Sequence, residues 1–308
     1  MEAGDESMMQ GPFSHWQKVV ETHDDVQDQS LAGRPDMPPI FQFSQNSLQD
    51  YVDCARRFQL RYVLNQRWPA AETEPISEHE KFVEEGAQFH LMVQRHLLGI
   101  PVDKLIPAEG DLRDWWLNYL TSDPLRGLPS IIRQPEAQLS APLGEQRLLA
   151  RFDLLCIDPG ERAVIVDWKT SRYRPDRQKL GERLQSRIYS YVLAEAGSHL
   201  FGGSIHPEQI SLIYWFAYEP TRPEVFQYDS ARHAENRVYL SDLVSRVLAH
   251  DESIWPLTAD EDRCKYCVYR SLCNRGVKAG LLEESAAEVL EHTFDFDFEL
   301  EDIDEIAF

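Results

Sequence analysis

Four of the five cysteines fall at two places far apart in the chain. Cys54 stands near the start of the apolar region, and Cys264, Cys267 and Cys273 form a C-x2-C-x5-C run near its end. Sulfurs so distributed can serve one site only if the first and last parts of the fold meet, which constrains topology before any strand is assigned. No apolar run is long enough to span a membrane, and the first residues are acidic and polar rather than a basic-then-apolar leader, so a cytoplasmic protein with no membrane association is expected. In that compartment clustered cysteines hold a metal or an iron–sulfur centre more often than they form disulfides. Cys156, alone in an apolar strand pattern, reads as a small core residue.

A formal charge of −21 argues at first against a polyanionic partner. Its distribution matters more. Residues 283–308 carry 11 acidic residues and no Lys or Arg, and residues 1–37 carry 8 acids against 2 bases, which leaves only −4 for 38–282. Inside that region residues 168–187 hold 7 Lys or Arg against 2 acids, and further bases surround the cysteine trio. Each run reads equally as a solvated face or as a basic binding surface. We therefore expect an acidic, disordered segment at 1–38 with a short helix at His15–Thr22, one main domain at 39–282 and an acidic tail at 283–308. The tail alternates acidic and apolar residues and suits either a strand-like extension or a partner-binding segment.

Apolar spacing predicts a first helix capped by Ser47 with Cys54 on its flank, and a second over about 77–98 where Gly86 and His90 share a face. Residues 101–130 read as a helical insertion. Two strands, 147–157 and 162–171, flank the turn Asp158-Pro-Gly-Glu161. Pairing Ile157 with Arg162 puts Asp153 opposite Val166; a one-residue bulge at the glycine puts it opposite Asp167. Lys169, two residues beyond Asp167, projects from the same face. A helix over about 181–196 places Gln185 and Tyr189 one turn apart, and a strand at 209–218, a partner near 225–228 and a helix over 230–249 lead back to the cysteines.

Two carboxylates held close repel unless a divalent cation neutralises them, and Mg2+ or Mn2+ suits such oxygen ligands. A lysine beside them can stabilise charge that builds on a phosphate. The alternative is a surface ion pair ending an ordinary strand, since D-x-K alone is common.

Taken in order, the motifs resemble the PD-(D/E)XK nuclease superfamily, in particular its RecB-like branch with a four-cysteine iron–sulfur staple. That branch includes CRISPR-associated four-cysteine exonucleases and nuclease subunits of double-strand-break processing complexes. The segment from Phe43 to Tyr62 is similar to its first helix and first cluster cysteine, Gly86 to His90 to its G-x3-H, and Ala150 to Asp153 to its G-x-x-D. Asp167 to Lys169 is similar to its D-x-K, Gln185 to Tyr189 to its Q-x3-Y, and Cys264 to Cys273 to its closing cysteines. Ala150 departs from the usual glycine. The resemblance implies an α/β, restriction-endonuclease-like mixed sheet flanked by helices, and metal-dependent cleavage of DNA, exonucleolytic and favouring single strands or ends, in repair, recombination or CRISPR adaptation. It implies that His90, Asp153, Asp167 and the Trp168 carbonyl hold Mg2+ or Mn2+, that Lys169 is the catalytic lysine, and that Gln185 and Tyr189 position substrate or lysine. It also implies a [4Fe–4S] cluster on Cys54, Cys264, Cys267 and Cys273, and a helicase, CRISPR or repair protein as partner. The acidic tail is expected either to engage a basic partner or to screen the DNA site by mimicking a polyanion. Four thiolates suit zinc as well, and spacing does not decide between them. A non-catalytic DNA-binding subunit and an iron–sulfur electron carrier are the competing functions; the intact Asp153, Asp167 and Lys169 count against both.

Overall fold

The computed structural model describes residues 41–66, 78–107, 109–172, 174–251 and 253–277. The expectations for 1–38 and 283–308 lie outside them. Strand β1 (Gln42–Phe43) leads into α1 (Gln45–Asp53), α2 (Ala55–Phe58) and a π-helical turn at Gln59–Val63. Helices α3 (Glu78–Leu97) and α4 (Asp111–Ser122) come next. They are followed by strands β2 (Ile132–Leu143), β3 (Gln146–Asp158) and β4 (Arg162–Lys169), then helices α5 (Arg177–Glu182), α6 (Leu184–Ala196) and α7 (Ser198–Phe201). After strands β5 (Ile210–Phe216) and β6 (Glu224–Gln227), helix α8 (Ser230–Leu248) and two 3-10 turns, Glu261–Tyr266 and Arg270–Cys273, complete the described chain. None of the described helices is long and apolar enough to cross a membrane.

The six strands form one mixed sheet in which β3 is the pivot. β2 pairs antiparallel along nearly all of β3, so β1 and β4 share its other edge, β1 at Arg147–Leu148 and β4 at Leu154–Asp158. β4 and β5 run parallel and β6 returns antiparallel. One face carries α6 and α8 over a core that includes Phe152, Ile165, Ile188, Tyr214 and Leu243. The other carries α3 and α4, whose Phe89, Trp115, Trp116 and Tyr119 pack on Trp168 and Trp215. Phe89 stacks on Trp215 with ring centroids 5.9 Å apart, which fixes α3 against the strand beside β4. This is the expected mixed α/β architecture.

Local details differ from the sequence expectations. The cap of α1 is Ser44, whose hydroxyl accepts from the Ser47 N–H while the Ser47 hydroxyl accepts from the Ser44 N–H, so Ser47 is the third residue of a reciprocal capping box and not the cap. The helix expected over 181–196 breaks at Arg183, whose extended backbone separates α5 from α6. β2 was not anticipated.

The ends of the described chain meet, as the cysteine spacing requires. Trp255 stacks on Phe58 (5.5 Å, 6°) and on His250 (4.3 Å), and the Gln59 side chain accepts from the Trp255 N–H and donates to the Ser253 carbonyl. The Tyr269 hydroxyl donates to the Gln66 carbonyl, and Arg263 pairs with buried Asp53. Apolar stacking and buried hydrogen bonds thus join the two ends.

Candidate metal centre and cysteine pocket

The turn at Asp158–Glu161 sets the register of the first site. Gly160 takes φ +77, and the Glu161 N–H donates to the Asp158 carbonyl, so Pro159 and Gly160 occupy the central positions that a type II turn favours. Asp158 pairs with Arg162 and Leu154 with Val166, so the ladder ends one residue short of Asp153 and Asp167, and the Trp168 N–H beyond it donates to Asp153 Oδ2. The bulged register is the one realised.

Alternation along β3 slips at that point: Leu148, Ala150 and Phe152 face the α6 core, and beyond Asp153 so do Leu155 and Ile157. β2 breaks at the matching place. Pro135 pairs with Leu154 and Ala137 with Phe152, which leaves Glu136 facing Asp153 with a left-handed backbone, φ +53.

The consequence is a cluster of three ligand-bearing side chains. One atom each of His90, Glu136 and Asp153 lies within 4.8 Å of the others. His90 Nδ1 is 3.3 Å from Asp153 Oδ2, and the same oxygen accepts the Trp168 N–H at 2.7 Å. Burial works against the charged imidazole, but the neighbouring Asp153 carboxylate pushes His90 up to about 9. Burial likewise opposes the Asp153 charge, and His90 and the Trp168 N–H outweigh it to hold the carboxyl below its usual range. Glu136 is raised by burial and by the charge of Asp153. A divalent cation would replace the proton on His90 and relieve the repulsion between Glu136 and Asp153, so the donor set, one imidazole nitrogen and carboxylate oxygens, fits such an ion.

Asp167 and Lys169 adjoin this trio from β4. Asp167 is buried; its Oδ1 accepts from Gln185 Nε2 at 2.7 Å and its Oδ2 lies 3.1 Å from Lys169 Nζ. The Lys169 ammonium also sits 5.6 Å from the centre of the Tyr214 ring. Gln185 donates to the Tyr189 hydroxyl at 3.3 Å, and the Tyr189 ring packs on Phe152. Gln185 therefore grips the carboxylate of Asp167, and Tyr189 braces Gln185. Gly86 has a steric reason to be glycine: a Cβ there would stand 3.0 Å from Thr170 Oγ1, so its absence lets α3 bring His90 up to the end of β4. His96, further along α3, bonds to Tyr119 in the aromatic core instead.

Glu136 was missed from sequence. Pro135 masks the strand, because proline inside an apparent strand argues against one, and the positive φ of Glu136 is invisible in a periodicity. The available signal was the alternation Leu139, Ala141, Leu143, which extends a strand back to Glu136.

Cys54, Cys264, Cys267 and Cys273 line a second pocket together with Arg57 and Arg275. None of the four forms a disulfide. Cys54 is itself the extended residue that separates α1 from α2, and the two 3-10 turns bring the trio to it. Burial pushes Cys267 up to about 11. Arg57 is buried between Asp50 (2.7 Å) and Asp53 (2.6 Å), and Arg275 Nη1 is 3.7 Å from Cys264 Sγ. Cys156 is buried in the sheet, as expected of a core residue.

The basic run of 168–187 is largely engaged in ion pairs. Arg172 pairs with Asp111, Arg174 with Glu219 and Glu224, Arg177 with Glu224, and Arg187 with Glu235. These contacts tie the segment after β4 to α4, the β5–β6 hairpin and α8. It is not the free basic surface that its composition allowed.

A family model described as the PD-(D/E)XK nuclease superfamily matches residues 42–274. The crystal structure of a candidate exonuclease from Eubacterium rectale is similar at TM-score 0.47 and 11% identity, covering 89% of this chain and 97% of that one. The crystal structure of SSO0001 is similar at TM-score 0.32 and 14% identity, covering 65% of this chain and 95% of that one. No curated protein matches.

Proposed function

Because the chain belongs to the PD-(D/E)XK nuclease superfamily, whose members are generally phosphodiesterases, we propose that it is a divalent-metal-dependent DNA nuclease, an exonuclease acting on single strands or ends. The observation that carries this reading is the convergence of His90, Glu136 and Asp153 beside the buried Asp167–Lys169 pair. In this reading His90, Glu136, Asp153, Asp167 and the Trp168 carbonyl hold Mg2+ or Mn2+. The ion supplies Lewis-acid polarisation of a phosphoryl oxygen and an activated nucleophile when bound. Trp168 fixes Asp153 through its N–H, and Gln185 fixes Asp167. Lys169, paired with Asp167, stabilises negative charge as it builds on the phosphate. No covalent enzyme intermediate is needed. A retired, non-catalytic subunit has no reason to retain carboxylates that repel one another.

The second pocket is proposed to bind a [4Fe–4S] cluster through Cys54, Cys264, Cys267 and Cys273. Cys54, Cys264, Cys267 and Cys273 share one pocket with Arg57 and Arg275, a thiolate set whose chemistry suits either zinc or a cluster. The resemblance favours the cluster, which would add a covalent tie to the aromatic junction at the chain ends. The basic partner or DNA-screening role of the acidic tail, and a place in repair or CRISPR adaptation, belong to the same proposal.

Anaerobically purified protein should be brown with broad absorption at roughly 400 nm, and should shorten end-labelled DNA when Mn2+ is added. Stoichiometric zinc without iron or sulfide would overturn the cluster assignment. Absence of cleavage by folded, metal-supplied protein on single-stranded and duplex DNA would overturn the nuclease assignment.

A further inference from the structure

The proposed cation site has one more charged neighbour. Arg151 lies two residues before Asp153 on the half-exposed side of β3, opposite the buried Ala150 and Phe152. Its Nε is 3.3 Å from Glu136 Oε2, and the two side chains are 28% and 25% exposed. Lys169, in contrast, is 8% exposed and faces Asp167. Lys169 and Arg151 are therefore placed differently: Lys169 is enclosed with its carboxylate, whereas Arg151 and its carboxylate are both partly exposed.

That difference has a chemical consequence when Glu136 takes up a divalent ion. A carboxylate that shares its charge with a metal is a poorer partner for a guanidinium. Arginine cannot shed its own charge, because its pKa stays above any working pH, so a second anion brought beside it is favoured. The phosphate that must approach the metal supplies one, and its non-bridging oxygens match the two-pronged guanidinium. We propose that Arg151 exchanges Glu136 for a DNA phosphate when the cation site fills, so that cation and DNA each raise the affinity for the other. This rests on the metal-site reading above and adds to it a substrate-binding residue. The alternative is that Arg151 only props Glu136 in place for the metal.

Coupling between two ligands is reciprocal, so it can be read from either side. Mn2+ binding is measured alone by calorimetry. Binding of a labelled single-stranded oligonucleotide is measured by anisotropy with and without Ca2+, an ion that prefers the same oxygen ligands, and gels verify that the oligonucleotide stays intact. The parent should bind DNA more tightly with Ca2+. Arg151→Gln should bind Mn2+ as tightly as the parent or more so, should change metal-free DNA affinity less than twofold, and should lose about tenfold in DNA affinity with Ca2+, the size expected for one charge-assisted hydrogen bond. Arg151→Lys, which keeps the charge and loses the fork, should recover part of the coupling. Parental coupling in Arg151→Gln overturns the proposal, and so does weakened Mn2+ binding, which would make Arg151 a prop for Glu136. A parent protein that binds no Mn2+ would instead remove the metal-site reading itself.

Discussion

Gly86→Ala sets two effects against each other. Alanine in a helix interior is favoured over glycine by about 1 kcal/mol, so the change should stabilise α3. The new Cβ would stand 3.0 Å from Thr170 Oγ1, a few tenths of an ångström inside ordinary contact, and α3 or the end of β4 must give way. Both elements carry site residues: His90 lies one helical turn after Gly86, and Lys169 directly precedes Thr170. A displacement of about 1 Å costs a catalyst on the order of a hundredfold, so a shift of 0.3–0.5 Å corresponds to roughly three- to tenfold in cleavage rate. The variant should therefore melt at or above the parental temperature and cut more slowly. Removing Oγ1 in Gly86→Ala/Thr170→Ala should restore most of the rate. The assay is initial-rate cleavage of end-labelled DNA at saturating Mn2+, with thermal melts on the same samples. A Gly86→Ala protein that cuts at the parental rate would refute the claim that this glycine sets the approach of His90.

The metal-free protein should lose stability as pH rises from about 6.5 through about 9. The folded-state value of His90 lies above its unfolded one, so its contribution is complete below the unfolded value and vanishes above the folded one; melts in chelator should show this trend, and His90→Gln should remove it. Trp255→Ala deletes a nearly buried ring that stacks on Phe58 and His250 and should cost about 3–5 kcal/mol, read as a lower denaturant midpoint in protein stripped of any bound metal. A midpoint that moves only when the cysteine pocket is loaded would show that the chain ends are not joined by protein contacts alone.

Much of this arrangement was legible in the sequence because local chemistry dictated it. The Pro-Gly turn set the β3–β4 hairpin and left two registers open, of which the structure takes the bulged one, with Asp158 opposite Arg162 and Leu154 opposite Val166. Helical spacing placed His90, Gln185 and Tyr189 on the right elements. What escaped the sequence depended on distant partners. Glu136 faces Asp153 only because β2 lies along β3 with a left-handed residue interrupting its alternation. The basic run after β4 is paired because Glu219 and Glu224 arrive from the β5–β6 hairpin, some 50 residues later in the case of Arg174. The division of α5 from α6 at Arg183 follows no proline or glycine at that residue, and composition did not signal it.

The central claim is that phosphodiester cleavage belongs to the carboxylates gathered midway along β3 and at the end of β4. Its most direct test compares parent and Asp167→Asn, both folded and equally loaded at the cysteine pocket, in cleavage of end-labelled single-stranded DNA with Mn2+. The substitution keeps the size of a side chain that Gln185 and Lys169 enclose and removes its charge. The rate should fall on the order of a thousandfold, equivalent to about 4 kcal/mol of barrier. Cleavage by Asp167→Asn at the parental rate would contradict the account and place the chemistry elsewhere.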